Sequence, residues 1–491
     1  MHHSKIYKMK NNKVYFKFLF LLLITSATLV MSCKKLDEKP ISFVSPSDFY
    51  TTQAQVESAF AASLNKLWSY WGGYGYDNTF INDDQKYGGN LVIPHNWGNG
   101  LWKAHYAAVL NLNNAIAAIK KGNLKGLPQS NIDLLNGQAK FLRAFNYFML
   151  VRMFGPLPLL TEDTPDPATV KIARSSIADV YKLIVSDFTE AIAKLPATWP
   201  SSQIGRPTRD AAKGLLAKAY LTMATAPLND VSNYAKAADL AKQVMQSGKY
   251  SLVPDINNVF STATKYGPEM MWSFNSNYQY INTDAQIYKP SSLGGWGDFS
   301  IQPEWDQQYP AGPRKSAYIR DSVVINGTSY AYNTPQYGYP NRPTMKKFQY
   351  DTQADFNNYS SIMNMPIIRF ADILLIFAEA DNMANGGPTQ AAVDAINKVI
   401  DRANGYMNNP AHPDLTTGMS KENFDTAVIE ERNEELCFEL GDRWFDLIRK
   451  GILKQKSIPS IQQNFTTNDY LFPIPDNDIQ LNPLLTQNPG Y

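Results

Sequence analysis

This sequence predicts a mainly α-helical protein, with tetratricopeptide-like helical hairpins carrying an irregular, aromatic-rich subdomain of loops and short strands. Three observations point there. Apolar residues recur every three or four positions through long stretches at both ends of the chain. The connections between those stretches are short and rich in Gly and Pro. Residues 271–350 lose that period while holding 16 aromatics in 80 positions, with abundant Asn, Gly, Ser and Pro.

The first helix is expected from about Phe49 to Trp68, capped by Ser47-Asp48, with Val56, Phe60, Leu64 and Leu67 on one face. A second is expected from Leu101 to Ile119. A third, Gln138 to Phe154, is apolar over a broad face and stops at Gly155-Pro156, because proline offers no N–H to continue a helix. Thr208–Met223 and Tyr234–Gln246 make a further pair, and Arg369–Met383, Thr389–Arg402 and Lys421–Lys450 complete the set. Paired helices with short connections suggest stacked hairpins of the tetratricopeptide kind, although no 34-residue repeat is legible.

The middle stretch is too long for a structureless loop inside a compact domain. Short strands such as Ser322–Ile325, packed as an irregular subdomain, are expected there. A second Gly-, Asn- and aromatic-rich patch spans Trp71 to Trp97. Both patches interrupt the scaffold, where binding surfaces often sit.

The start of the chain has its own logic. Lys5, Lys8, Lys10, Lys13 and Lys17 precede an apolar run from Phe18 to Met31, followed by Ser32 and then Cys33. A basic start, a short apolar core and a small residue at the cut make a secretory signal, and a cysteine directly after the cut makes a lipobox. The apolar run falls short of the roughly 20 residues a membrane span needs. Cys33 is therefore the expected lipidation site, and the acyl chains of a bacterial lipoprotein give stable anchoring. Removing residues 1–32 takes five lysines and no acids from a chain of net charge +2, leaving −3. That balance argues against nucleic-acid binding, which needs a basic face. The remaining 459 residues suffice for at least two domain-sized units. With Cys33 acylated, Cys437 has no cysteine partner and reads as a buried apolar thiol.

Four segments together resemble the RagB/SusD outer-membrane lipoproteins of the Bacteroidota. They are Cys33-Lys34-Lys35-Leu36-Asp37-Glu38-Lys39-Pro40; Lys140 to Leu159, with its Phe154-Gly155-Pro156-Leu157-Pro158 exit; Arg369 to Ala380; and Glu430 to Arg449, with Gly441-Asp442-Arg443-Trp444-Phe445. The end of the chain, Leu471-Phe472-Pro473-Ile474-Pro475 and Gln487-Asn488-Pro489-Gly490-Tyr491, is similar to that family's terminus. The resemblance covers the whole mature chain in order. It implies a helical scaffold, a lipid-anchored site on the outside of the outer membrane, and a SusC-like TonB-dependent transporter as partner. It also implies noncovalent capture of an oligosaccharide, with no catalysis. The expected organisation is a signal peptide at 1–32, a lipidated tether at 33–45, a helical N-terminal region at 46–270, an irregular ligand-binding region at 271–360 and a helical C-terminal region at 361–491.

The charged residues of those motifs read as structural. Asp446 is expected to pair with Arg443 or Lys450, and Arg369 with Asp372, at helical spacing. Glu379, on an otherwise apolar helix, reads as a partly buried ion tying neighbouring helices, since buried charges need partners.

A sugar offers a C–H face that packs on an aromatic ring and hydroxyls that need polar partners once buried. One ring contributes only about 1–1.5 kcal/mol, so a binder needs several. The two irregular patches supply that mixture. Trp71, Tyr74, Tyr76, Asn82, Asp83 and Trp97 come from the first, with Asn78 nearby. Tyr278, Tyr280, Trp296 and Asp298 come from the second, with Asn277 and Asn282. Trp68, Trp102, Trp272 and Trp305 are expected in the core instead. Two other readings stay open. One is a binding subunit for a non-glycan nutrient such as peptides. The other is a surface glycosidase using Asp83/Asp84 or Asp298/Glu304. No metalloprotease, nucleophile-elbow, phosphate-loop or paired-cysteine metal motif appears, and neither a cofactor nor a metal site is expected.

Overall fold

The computed structural model describes residues 49–71, 85–87, 98–165, 170–348, 361–456 and 470–491. Cys33 and the tether lie outside them. Helix α1 (Gln53–Trp71) opens with a reciprocal capping box. Gln55 N–H donates to Thr52 Oγ1 at 3.3 Å, and Thr52 N–H donates to Gln55 Oε1 at 3.0 Å. That box starts the helix four residues later than Ser47-Asp48 capping implies. Helix α2 (Gly98–Lys120) follows, then α3 (Gln129–Phe154), whose first two turns are half-exposed and so hide their apolar period. From Gln138 to Phe154 nearly every residue of α3 is buried.

Helix α4 (Ile177–Lys194) is absent from the sequence reading, yet its signals are local. Ser176 Oγ accepts from Asp179 N–H at 3.1 Å, and Val180, Ile184, Phe188 and Ala191 fall on one buried face. Helices α5 (Arg209–Met223) and α6 (Asn233–Gln246) match their expected limits within one residue. Each helix from α1 to α6 packs on the next. These are the expected hairpins.

The irregular region contains strands β1 (Gln85–Tyr87), β2 (Met270–Phe274) and β3 (Phe299–Ile301), with short helices α7 (Asp284–Ile287), α8 (Pro303–Gln308) and α9 (Pro313–Tyr318). Strands β4 (Ile319–Arg320), β5 (Ser322–Ile325), β6 (Thr328–Ala331), β7 (Thr344–Met345) and β8 (Met365–Arg369) complete it. All pairings are antiparallel and two-stranded: β1 with β3, β2 with β8, β4 with β7, β5 with β6. The β1–β3 pair sets Tyr87 opposite Phe299, which joins the two aromatic-rich patches of the sequence. Phe260, Tyr288, Phe299, Trp305, Tyr318 and Phe348 share one buried cluster with Cys437 and Phe438, and these rings form the core of this region. Cys437 is buried, its thiol donating to the Glu434 carbonyl oxygen at 3.4 Å.

Helices α10 (Phe370–Asn385), α11 (Gln390–Ala403), α12 (Lys421–Leu436) and α13 (Asp442–Arg449) close the fold, with α10 packed against α6, α11 and α12. Tyr50–Tyr491 forms one compact unit where chain length alone allowed two. The continuous helix expected over Lys421–Lys450 is broken. Phe438, Leu440 and Gly441 take positive φ values of 61°, 47° and 70°. The break sets the Glu439 carboxylate 2.7 Å from both Lys347 Nζ and Arg369 Nε.

The expected i,i+3 and i,i+4 pairs are also corrected. Arg369 ends β8 and lies outside the helical frame, so its partners are Glu269, Glu435 and Glu439 rather than Asp372. Arg402 joins the same cluster through Glu269 at 3.0 Å and Glu435 at 2.7 Å. Asp372 instead receives Arg432 at 2.6 Å and Lys218 at 3.0 Å. Asp446 pairs with Arg432 at 2.7 Å and Arg449 at 2.8 Å, while Lys450 goes to Glu379 and Asp425. Asp446–Arg449 is an i,i+3 pair within α13, of the expected kind but with another partner; the other buried ions tie separate elements. The reading of Glu379 as such a tie holds.

Candidate ligand-binding site

A cleft of about 310 Å³ opens between α1 and β2. Glu57, Phe60, Leu64 and Trp68 recur at three and four residues along α1 and present one face to it. Gln138 and Leu142 come from α3, Ile204 to Pro207 from the turn before α5, and Trp272 to Asn275 from β2 and its exit. Tyr280 stands at the edge, 37% exposed.

The floor is a chain of aromatic contacts. Trp68 meets Phe274 edge-on at 6.1 Å, and Trp272 meets Phe141 and Phe145 edge-on at 4.7 and 5.1 Å. Such edge-to-face packing fixes ring orientation. Trp68, expected in the core, is half-buried and lines the cleft. Trp272 has both roles, at 4% exposed.

Polar groups sit beside these rings. Arg206 Nη1 donates to Glu57 Oε1 at 2.9 Å and to Gln138 Oε1 at 3.2 Å. Its guanidinium lies 5.5 Å from the Trp199 ring centroid. Burial raises the Glu57 carboxyl, but the Arg206 and Gln53 hydrogen bonds and the Arg206 charge outweigh it, holding the group below its ordinary value. Glu57 is thus an anion and an acceptor. Gly205 has φ +92°, and a Cβ there would lie 2.4 Å from Asn275 Nδ2, so only glycine allows this approach. Asn275 Nδ2 donates to Gly205 carbonyl oxygen at 3.4 Å.

A second aromatic surface lies near β3. Trp296 is 42% exposed and Tyr339 50% exposed. A Cβ on Gly297 would lie 3.0 Å from Tyr339 Cδ1, so the tyrosine ring rests against the residue following Trp296. Asp298 is half-buried next to it. Tyr278 is 61% exposed, held by an Asx turn in which Asn277 Oδ1 accepts from the Gln279 and Tyr280 N–H groups.

Of the expected site residues, the structure thus puts Tyr280 in the cleft, Tyr278 outside it, and Trp296 with Asp298 at the second surface. Trp71 ends α1; Tyr74, Tyr76, Asn78, Asn82, Asp83 and Trp97 lie outside the described residues. Asn282 is fully buried, bonded to Ser361 and Met363, and serves the scaffold. Sequence reasoning missed Trp68, Arg206, Asn275 and Tyr339. Tyr339 alone carried a signal, in the Tyr337-Gly338-Tyr339-Pro340 run of the aromatic region.

Among the described residues, one group of side chains has metal-ligand character. His412, Glu431 and Glu434 bring ligand atoms within 4.8 Å of one another. Arg314 already fills that role as cation, with Nη1 2.5 Å from Glu431 and a further bond to Glu434.

Two family models match the chain: "SusD family" over residues 314–491 and "Starch-binding associating with outer membrane" over residues 27–221. The SusD-like protein P2 of Formosa agariphila is 27% identical, covering 98% of this chain and 100% of that protein. A SusD homolog from Bacteroides thetaiotaomicron superposes with a TM-score of 0.78 at 24% identity, covering 91% of this chain and 98% of that one. Surface glycan-binding protein A of the same organism, solved in complex with laminarihexaose, gives a TM-score of 0.73 at 20% identity, covering 89% and 100%.

Proposed function

This chain is a member of the SusD/RagB family, and from that premise we propose that it is a surface-exposed lipoprotein of the outer membrane, anchored through Cys33. In this reading it captures a nutrient oligosaccharide noncovalently and hands it to a SusC-like TonB-dependent transporter. The observation that carries the binding step is the cleft. Trp68, Trp272 and Tyr280 supply aromatic surface beside Arg206, Glu57 and Asn275, the mixture that a sugar's C–H faces and hydroxyls require. The glycan complex of a protein with the same fold supports the ligand class, and the match of residues 27–221 to a family associating with the outer membrane supports the membrane.

Capture in this form needs no bond making. Each sugar face laid on a ring contributes about 1–1.5 kcal/mol. Two or three rings with a few charge-assisted hydrogen bonds reach micromolar to millimolar affinity, weak enough for release to a partner. Calorimetry of the full chain in detergent against plant, fungal and bacterial glycans tests this. Binding of one oligosaccharide with no product released supports it. Silence across the glycans with binding of peptides transfers the role to a non-glycan nutrient, and release of shortened sugar overturns the non-catalytic reading.

A further inference from the structure

Among the described residues that line the aromatic cleft, the charged ones are Glu57 and Arg206, and they pair with each other at 2.9 Å. The rest of the polar lining is uncharged. It consists of the amides of Asn65, Gln138 and Asn275 and the hydroxyls of Ser273 and Tyr280. The two charges cancel within the pair, so the described wall of the cleft is neutral as a whole.

The pair is also half-used. Glu57 Oε1 accepts from Gln53 Nε2 at 3.0 Å and from Arg206 Nη1 at 2.9 Å, while Oε2 accepts from no described residue. Arg206 makes both of its hydrogen bonds through Nη1, to Glu57 and to Gln138. A guanidinium carries five N–H donors, so those on Nε and Nη2 are left for a ligand or water. Both side chains are partly exposed, which keeps these groups accessible. Asn65, three residues before Trp68 on α1, is exposed and its amide bonds to no described residue.

A sugar hydroxyl both gives and accepts a hydrogen bond, so neighbouring hydroxyls can use the open carboxylate oxygen and the open N–H groups together. A carboxylate or sulfate can use the N–H groups alone. It meets a cation that Glu57 already offsets, comes close to the Glu57 anion, and gives up water in doing so.

We infer that this cleft selects neutral oligosaccharides over acidic ones, with the Glu57–Arg206 pair as the selecting element. The inference rests on the carbohydrate reading above and narrows its ligand class.

The test is calorimetry of the full chain in detergent with gluco-, manno- and galacto-oligosaccharides. Each is offered as the neutral sugar and with its primary hydroxyls oxidised to carboxylate or esterified with sulfate, in about 50 and 300 mM NaCl. The neutral form is expected to bind at least about fivefold tighter than either acidic form, with an affinity that salt changes by less than about twofold. Glu57→Gln keeps an acceptor for Gln53 and leaves Arg206 uncompensated. It should raise acidic affinity about tenfold, a gain that shrinks at high salt. Arg206→Met leaves the anion alone and should widen the neutral preference several-fold. Tighter or equal binding of an acidic form by the wild type overturns the inference and leaves glycan capture standing, as does a neutral preference that Glu57→Gln leaves unchanged. If no sugar of any form binds, both readings fall.

Discussion

Arg206 and Glu57 are joined at 2.9 Å, one on the turn before α5 and the other on the second turn of α1. Their side chains are 29% and 27% exposed, so solvent screens the pair and its net contribution to stability is below about 1 kcal/mol. Its value lies in aiming the guanidinium, which also reaches Gln138. Arg206→Met is therefore expected to leave the melting temperature within about 2 °C of wild type while weakening the cleft's ligand several-fold. A large melting shift with unchanged affinity would assign the pair to the scaffold instead.

Trp68 and Tyr280 test the aromatic surface. Each ring face contributes about 1–1.5 kcal/mol to sugar binding, close to tenfold in affinity. Tyr280→Ala should lose that factor without a stability change, because the ring stands partly in water. Trp68→Ala should lose the same factor and about 1 kcal/mol of stability with its Phe274 contact. Trp272→Ala is the contrast: its buried ring packs against Phe141 and Phe145, and its removal should cost about 3–5 kcal/mol. Paired calorimetry and urea unfolding separate the three outcomes. Full-affinity binding by both Trp68→Ala and Tyr280→Ala would remove the cleft from the site.

The scaffold was legible where the information is local. Helices α2, α5, α6, α10 and α11 follow from apolar period and flanking turn residues, and α4 would have followed from Ser176 and the Val180–Ala191 face. The break after α12 was not legible, because it answers to Lys347 and Arg369, which are 92 and 70 positions away from Glu439. Trp68 reads as core on its own helix. Only β2, some 200 residues later, turns that face into a cleft wall. The aromatic middle did announce its short strands, and β5 falls on the expected residues. Which rings remain exposed there is set by tertiary packing: Trp305 and Tyr318 are buried, while Trp296 and Tyr339 are not.

Arg369 carries the heaviest structural duty. It is 1% exposed and engages the Glu439, Glu269 and Glu435 carboxylates, two of which are shared with Arg402. Arg369→Met fits the volume but leaves carboxylates buried without their cation. The expected loss is about 3–5 kcal/mol, measured by urea unfolding. Arg369→Lys should recover only part of it, since one ammonium cannot replace a fork that reaches three carboxylates. A fully stable Arg369→Met protein would show that Arg402, Arg314 and Lys347 suffice to hold the cluster.

His105 gives the fold a pH dependence of definite sign. It is fully buried on α2, with Nδ1 2.8 Å from Asn146 Oδ1 on α3. Burial lowers its pKa to about 4; the Asn146 bond opposes that and the Arg152 charge reinforces it. An unfolded histidine titrates near 6.5. The unfolded chain therefore binds more protons between those values, so this contribution is complete above about pH 6.5 and is lost as pH falls towards 4. The loss between pH 7 and pH 4.5 amounts to about 2–3 kcal/mol. His105→Gln keeps a polar partner for Asn146 and cannot take up that proton. The variant is expected to start less stable at pH 7 and to fall less steeply, so that its urea midpoint approaches or passes the wild-type value at pH 4.5. Parallel acid profiles for the two proteins would show that His105 is not the group that titrates, and would shift the acid limb to the buried carboxylates of Asp372 and Glu435, which their cations hold at about 2 against the opposing effect of burial.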